Sequence, residues 1–216
     1  DISGPDGVPD GVIDDYDKTN IGSPMPKFTF GWTNTFRYKN FDLSVFINGS
    51  YGNKVYNYLS MKLTHMNSPW TNQLNAVNGR AQLVPINPNK VYEDGTMWYN
   101  DVSNVMVANP GASIPRATIN DPKDNDRISD RYIEDGSYIR LKNISLGYTF
   151  PKKTIDKLGL SNLRIYANIQ NLLTITGYDG YDPEIGASTS SVNVYGLDNG
   201  RYPSPTVYSF GLNVSF

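Results

Sequence analysis

Five segments of the chain alternate between apolar and polar positions with the period of two that is typical of β-strands. The first places Phe28, Phe30, Trp32 and Phe36 on one face, opposite threonine, glycine and arginine. The pattern predicts strands near residues 28–38, 41–51, 137–150, 163–175 and 206–216. The predicted fold class is therefore all-β and antiparallel, with a leading segment 1–26 and long connections at 52–131 and 176–203.

The two faces of these strands distinguish a membrane barrel from a soluble β-sandwich, whose strands also alternate. The polar face is mostly Ser, Thr, Asn, Gln and Gly, which are typical of a lumen filled by water or a plug. The apolar face has no charge in the middle of any strand, and aromatic residues gather at strand ends. Arg140 and Lys142 share the parity of Ile144, so we expect them at headgroup level or at a bulge. The pattern favours a transmembrane barrel over the sandwich.

The lengths of the connections favour the barrel as well. If the chain ends on the periplasmic side, the short turns at 39–40 and 151–161 are periplasmic, and the connections 52–131 and 176–203 are extracellular. Outer-membrane barrels show this asymmetry. Because such barrels have at least about eight strands, we expect these strands to be the C-terminal part of a large barrel. Its remainder would lie upstream or on a separate polypeptide.

Composition excludes several classes of function. The chain has 19 Lys and Arg against 21 Asp and Glu, which leaves no basic excess for nucleic acid. It has no cysteine for disulfides or thiolate ligands. His65 is the single histidine and has no serine or cysteine nucleophile motif near it, so we interpret it as a surface loop residue. The sequence predicts no enzymatic activity.

Four ordered segments of the chain resemble the SusC/RagA family of TonB-dependent outer-membrane transporters. The first is "DGVIDDYDKTNIGSPMPKFTFGWTNTFRYKNFDLSVFINGSYGNKVYN" at 10–57. The others are "IEDGSYIRLKNISLGYTFPKK", which precedes "LRIYANIQNLLTITGYDGYDPEI", and the final "YPSPTVYSFGLNVSF". The resemblance covers most of the chain outside 60–129.

The resemblance implies a plugged barrel in a Bacteroidota-type outer membrane, in contact with lipid and lipopolysaccharide. It implies import of oligosaccharides or peptides together with a SusD-like surface lipoprotein, energised by TonB. An alternative is a transporter-like barrel that serves as a structural or assembly component of an outer-membrane complex. A soluble carbohydrate-binding module is a third hypothesis, which the uncharged apolar face disfavours.

The acidic segment 6–17 fits a calcium-loop template in part. The side chains that would bind calcium are Asp6, Asp10, Asp14 and Asp17. Val8 occupies a position that normally supplies an oxygen, and Pro9 stiffens the backbone. A solvated acidic turn is the alternative, and no other cofactor is expected.

Aromatic residues in the connection 52–131 are the candidates for substrate contact, because a connection this long is often functional. Trp70, Trp98 and Tyr99 could stack on sugar rings or hold a peptide, although packing within the loop or against a partner is the preferred interpretation. Carboxylates such as Asp182 and Glu184 are interpreted as turn-formers. The sequence "DGYDPEIG" that contains them is expected to fold its own loop.

The end of the chain carries a candidate assembly signal. Tyr208, Phe210, Leu212 and Phe216 share one face of the last predicted strand. A terminal aromatic residue on such a strand resembles the signal that the barrel-assembly machinery reads. We expect this strand to pair with 163–175 on one side and with a strand outside these 216 residues on the other.

Overall fold

The computed structural model describes residues 1–119, 121, 124–185 and 194–216. Its strands are β1 (Phe28–Tyr38), β2 (Phe41–Tyr51), β3 (Lys54–Asn57), β4 (Leu83–Pro85), β5 (Val105–Val107), β6 (Ile133–Asp135), β7 (Tyr138–Thr149), β8 (Asn162–Thr176), β9 (Leu197–Asp198) and β10 (Val207–Ser215). Its α-helices are α1 (Tyr58–Thr64) and α2 (Lys152–Ile155), and short 3-10 turns occur in the connections. None of the helices in the described ranges could span a bilayer.

The chain forms two compact units. One consists of Asp1–Asn20 and Tyr58–Tyr132, and the other of Ile21–Asn57 and Ile133–Phe216. The predicted connection 52–131 includes residues 120, 122 and 123, and the connection 176–203 includes 186–193. These residues lie outside the described part of the chain.

A five-stranded sheet dominates the second unit, with strand order β1-β2-β7-β8-β10 and antiparallel pairing throughout. This confirms the predicted all-β, antiparallel fold class. Strand β10 pairs with β8, as expected, and within the described residues its other edge has no partner. Strand β1 is the opposite edge of the sheet.

The register aligns apolar residues across all five strands. One such row consists of Phe36, Leu43, Leu146, Ala167 and Phe210. No row on this face contains Asp, Glu, Lys, Arg or His. Many of these side chains are exposed, including Phe210 at 83%. A contiguous exposed apolar face of this kind marks a surface that another phase or protein covers.

A β-bulge at Lys142 explains the odd parity of two cations in β7. The pairing of β7 with β2 skips Lys142, because Phe46 pairs with Asn143 and Ile47 with Leu141. The extra residue moves Arg140 onto the polar face, where it pairs with Asn48 and Thr174. Of the two expected explanations, the bulge is therefore the one observed.

The opposite end of the polar face contains a second charged contact. Arg164 in β8 binds Asp42 in β2, with Nη2 and Oδ2 2.6 Å apart. The two side chains meet above Gly147 of the intervening strand, where an added Cβ would lie 2.3 Å from Arg164. Glycine at this position thus allows an ion pair to cross one strand.

A small three-stranded sheet of order β6-β3-β9 ties together three segments of the same unit. It is fixed by buried polar groups. The Tyr178 hydroxyl donates to Asp198 at 2.5 Å, and Asp198 is 1% exposed. Burial, followed by the hydrogen bond to Asp198, raises the pKa of Tyr178 far above its usual range. The connection after β8 is therefore anchored by specific bonds.

The first unit relies on local hydrogen bonds more than on long strands. Strands β4 and β5 form a two-stranded ladder. Buried Asn104 donates to the carbonyl of Asn87 at 3.1 Å and to the Tyr92 hydroxyl at 3.0 Å. Asp101 accepts from Tyr92 at 2.9 Å and from Lys90 at 2.5 Å. These bonds give the segment from residue 87 to 104 a defined shape.

Candidate functional site

The principal charged site of the second unit surrounds Arg140. Its guanidinium contacts Asp182 through Nη2, Glu184 through Nη1 at 2.6 Å and the Thr174 hydroxyl through Nε at 2.8 Å. Lys142, the bulge residue, binds the same Glu184 oxygen at 2.8 Å. Arg140 is only 2% exposed, so the ion pairs are its main compensation for lost hydration.

Asp182 is the buried carboxylate of this site. Burial disfavours its charged form, but hydrogen bonds from Arg140 and from the backbone N–H groups of Ser204 and Glu184 outweigh that effect. Together they lower the pKa of Asp182 to about 2. Asp182 and Glu184 therefore do more than form a turn, because they also attach their loop to a strand. The parity break at Arg140 and Lys142 was the sequence signal that could have revealed this site.

A cavity of about 550 Å³ lies beside the Arg140 site, entirely within the second unit. The strands contribute Tyr138 and Lys142 to its lining, and the loops contribute Met25, Tyr195 and Arg201. Its size falls in the range of small-molecule sites, about 300–1,000 Å³. None of these cavity residues was predicted, because three loops distant in sequence bring them together.

The three aromatic candidates do not form one cluster. Trp98 and Tyr99 contact each other edge to face, with ring centroids 5.7 Å apart. Trp70 is 92% exposed and has no ring contact in the described part of the chain. In the described part of the chain, the three side chains therefore do not form one shared stacking surface. Substrate contact by each of them stays a prediction.

The acidic segment is held by hydrogen bonds of its own. The side chain of Asp14 accepts from the amide of Tyr16 at 2.8 Å. Asp17 accepts from the backbone amides of Ile2, Ser3 and Asp14, which lower its pKa to about 2. Asp1, which the template omitted, accepts from the amide of Gly11 at 2.5 Å. Among the described residues, the predicted ligands Asp6, Asp10, Asp14 and Asp17 do not form a convergent group. Calcium binding stays a prediction.

His65 is not a surface residue, which corrects the interpretation from sequence. It is 8% exposed, and its amide continues the last turn of α1 by donating to Met61 at 3.0 Å. The ring lies between two carboxylates, with Nε2 3.0 Å from Asp121 and Nδ1 3.7 Å from Asp126. Tertiary contacts with Asp121 and Asp126 help to bury it, and the local sequence carries no sign of them.

The candidate assembly signal lies on the edge strand. Tyr208, Phe210, Leu212 and Phe216 are all exposed, and Phe216 reaches 93%. The first three occupy the apolar rows of the sheet, and the carbonyl of Phe216 accepts from the Ser161 hydroxyl at 3.3 Å. The signal function stays a prediction.

Comparisons with known proteins agree with this geometry. No family model matches the chain. TonB-dependent receptor P3 of Formosa agariphila is 36% identical over 95% of this chain and 18% of its own length. TonB-dependent receptor SusC of Bacteroides thetaiotaomicron is 29% identical over 95% of this chain and 17% of its own length. Over nearly its whole length, the chain is therefore similar to one segment of TonB-dependent receptors, SusC among them.

Solved structures show the same fold. The RagAB peptide importer in its closed-closed state matches 99% of this chain and 20% of that chain, with a TM-score of 0.67 and 21% identity. In the open-open state the match covers 90% of this chain, with a TM-score of 0.62. The chain thus spans about a fifth or less of the SusC/RagA proteins that it matches.

Proposed function

We propose that this chain forms the C-terminal part of the barrel wall of an outer-membrane importer, which takes up nutrients such as oligosaccharides or peptides. The observation that carries the proposal is the exposed apolar face of the sheet, whose registered rows contain no charged residue. A bilayer tolerates such a face and excludes charge from it. Homology to TonB-dependent receptors supports import over catalysis.

The proposal includes partners outside this chain. Within the described residues, the outer edges of β1 and β10 have no partner strand, and they need further strands because lipid leaves backbone groups without hydrogen bonds. We propose that the rest of the barrel and its plug supply those strands and fill the lumen. A SusD-like surface lipoprotein would bind on the extracellular side and TonB on the periplasmic side. The barrel-assembly machinery would insert the barrel.

Lipid contact can be tested by single-cysteine labelling, because the chain has no cysteine of its own. Leu212→Cys and Phe210→Cys, made in the full-length receptor in which other exposed cysteines are replaced, would carry a fluorophore. We expect brominated lipids to quench both labels strongly. Matched controls are Ser209→Cys and Asn213→Cys, on the opposite face of β10. Equal quenching of labels on both faces would contradict lipid contact.

Import is tested by uptake in cells. Deletion of the gene for the full-length receptor should abolish uptake of one class of labelled oligomer, and reintroduction of the intact gene should restore that uptake. Peptide and oligosaccharide pools tested side by side would identify the class. Unchanged uptake of every pool, with the outer membrane weakened, would instead favour the structural role.

A further inference from the structure

We infer that the cavity beside Arg140 binds the carboxylate of an oligomeric ligand, with Arg201 as the residue that pairs with it. The inference rests on the proposed import function, since it names the chemistry of what is imported. It depends on three properties of the cavity: its preformed walls, its charge balance and its apolar surfaces.

The walls of the cavity are fixed by hydrogen bonds that backbone amides donate. The amide of Lys54 donates to Ser23 at 2.8 Å, which holds the loop before β1. The amide of Tyr56 donates to Gly196 at 2.7 Å, and that of Ser204 donates to Asp182 at 2.9 Å. Gly196 has a φ of 71°. An added Cβ there would meet the Lys54 carbonyl at 3.0 Å, so the backbone is closely packed. Preformed walls lower the entropy cost of binding.

Among the charged groups near the cavity, one cation has no carboxylate in contact with it in the described residues. Arg140 and Lys142 are compensated by Asp182 and Glu184, since each cation contacts a carboxylate. Arg201 also lines the cavity, and its side chain makes no ion pair with the described residues. Residues 186–193, GASTSSVN, contain no charged side chain that could compensate it. Among the described residues, the cavity therefore presents one exposed guanidinium without an ion pair, which favours a carboxylate because the two groups form paired, charge-assisted hydrogen bonds.

The rest of the lining suits the body of an oligomer. Tyr138 and Tyr195 offer rings, and Met25 and Ile185 offer aliphatic surface. Such surfaces contact sugar rings and peptide side chains alike. The carboxylate is thus the shared chemistry, and it can come from a peptide terminus or from an acidic saccharide.

Binding by the purified full-length receptor tests the inference, with calorimetry as the readout. The probes are two matched pairs: tetra-alanine and its C-terminal amide, and tetragalacturonate and its methyl ester. We expect the acidic member of at least one pair to bind about tenfold more tightly than its neutral partner. The pair that shows the preference identifies the source of the carboxylate. Equal affinities within both pairs, or no measurable binding of either acidic probe, would overturn the inference.

The variant Arg201→Gln should reduce the affinity for the acidic probe to that of the neutral one. Only the backbone amide of Arg201 bonds to Asp198, at 3.1 Å, so the variant keeps that contact. Arg201→Lys should recover part of the preference. The control is Arg37→Gln. Arg37 and the cavity residue Thr29 lie on the same strand, β1, eight residues apart, which corresponds to roughly 26 Å along the strand. A preference that survives Arg201→Gln would also refute the inference. Uptake is measured separately, so failure of import in cells whose receptor keeps this preference contradicts the proposed function alone.

Discussion

The two faces of the five-stranded sheet use charge in opposite ways. The apolar face aligns rows of mostly apolar side chains without one charged residue, although many of these side chains are exposed. The polar face carries Arg140 at 2% exposure, together with the Arg164–Asp42 pair. Exposure and polarity are thus inverted relative to a soluble sheet, in which the apolar face is the buried one.

This inversion explains how a connection is attached to the polar face of the sheet. On the polar face, a buried cation can be compensated by carboxylates from a connection, so charge becomes an anchor. On the apolar face, none of the described connections supplies a counter-charge, so an introduced cation would stay uncompensated. Removing a charge from the polar face and adding a charge to the apolar face should therefore have different effects on stability.

The largest effect is expected at Arg140. Arg140→Met leaves Asp182 and Glu184 without their main partner, and breaking a buried ion pair typically costs about 3–5 kcal/mol. Native-state hydrogen exchange of residues 197–204 in the full-length receptor should show this loss of local stability. Lys142→Met is the matched control, expected to cost about 1 kcal/mol or less because the Lys142 side chain is 31% exposed. Equal exchange in the two variants would show that Arg140 is not the anchor.

A charge on the apolar face should have the next largest effect. Leu212→Arg should destabilise the assembled receptor by about 2–4 kcal/mol if Leu212 lies near the bilayer midplane. Ser209→Arg, three residues away on the polar face and opposite the neutral Asn168, should cost much less. Denaturant unfolding in lipid bilayers measures both values. Similar losses for the two variants would argue that the apolar face is covered by protein.

Acid should weaken the Asp182 anchor in a defined range. The folded-state pKa of Asp182 is about 2, below the ordinary 3.8, so the stabilisation is present above about pH 4. It is lost as the pH falls from about 4 to 2, because the carboxylate protonates. Exchange protection of the Ser204 amide, which donates to Asp182, should fall over that range. Asp182→Asn should remove the pH dependence, and a decline that persists in this variant would assign it to another group.

The smallest effect on folded stability is expected at the end of the chain. Phe216 is 93% exposed, so its deletion removes few contacts. The amount of assembled receptor in the outer membrane should nevertheless decrease while synthesis is unchanged, if the residue is read during assembly. Phe216→Trp keeps an aromatic ring and should assemble normally. Undiminished assembly after deletion would show that Phe216 is no signal.

Local pattern and long-range contact explain different parts of the structure. The strand β2 is evident from sequence because alternation is a local property, and every side chain of β2 except Phe46 matches the polarity of its face. The bulge at Lys142 is evident only as a break in parity, which permits two explanations. His65 gives no such sign, since its partners Asp121 and Asp126 are more than fifty residues away.

The sequence by itself determined the five strands, their antiparallel order along the chain and the chemical contrast between their faces. It did so because a period of two repeats within every few residues. Only the tertiary structure decided that Arg140 points to the polar face, that Asp182 and Glu184 bind it, and that Arg201 lines a cavity. Those outcomes depend on loops that meet across the fold, where a shift of one residue changes which side chains face each other.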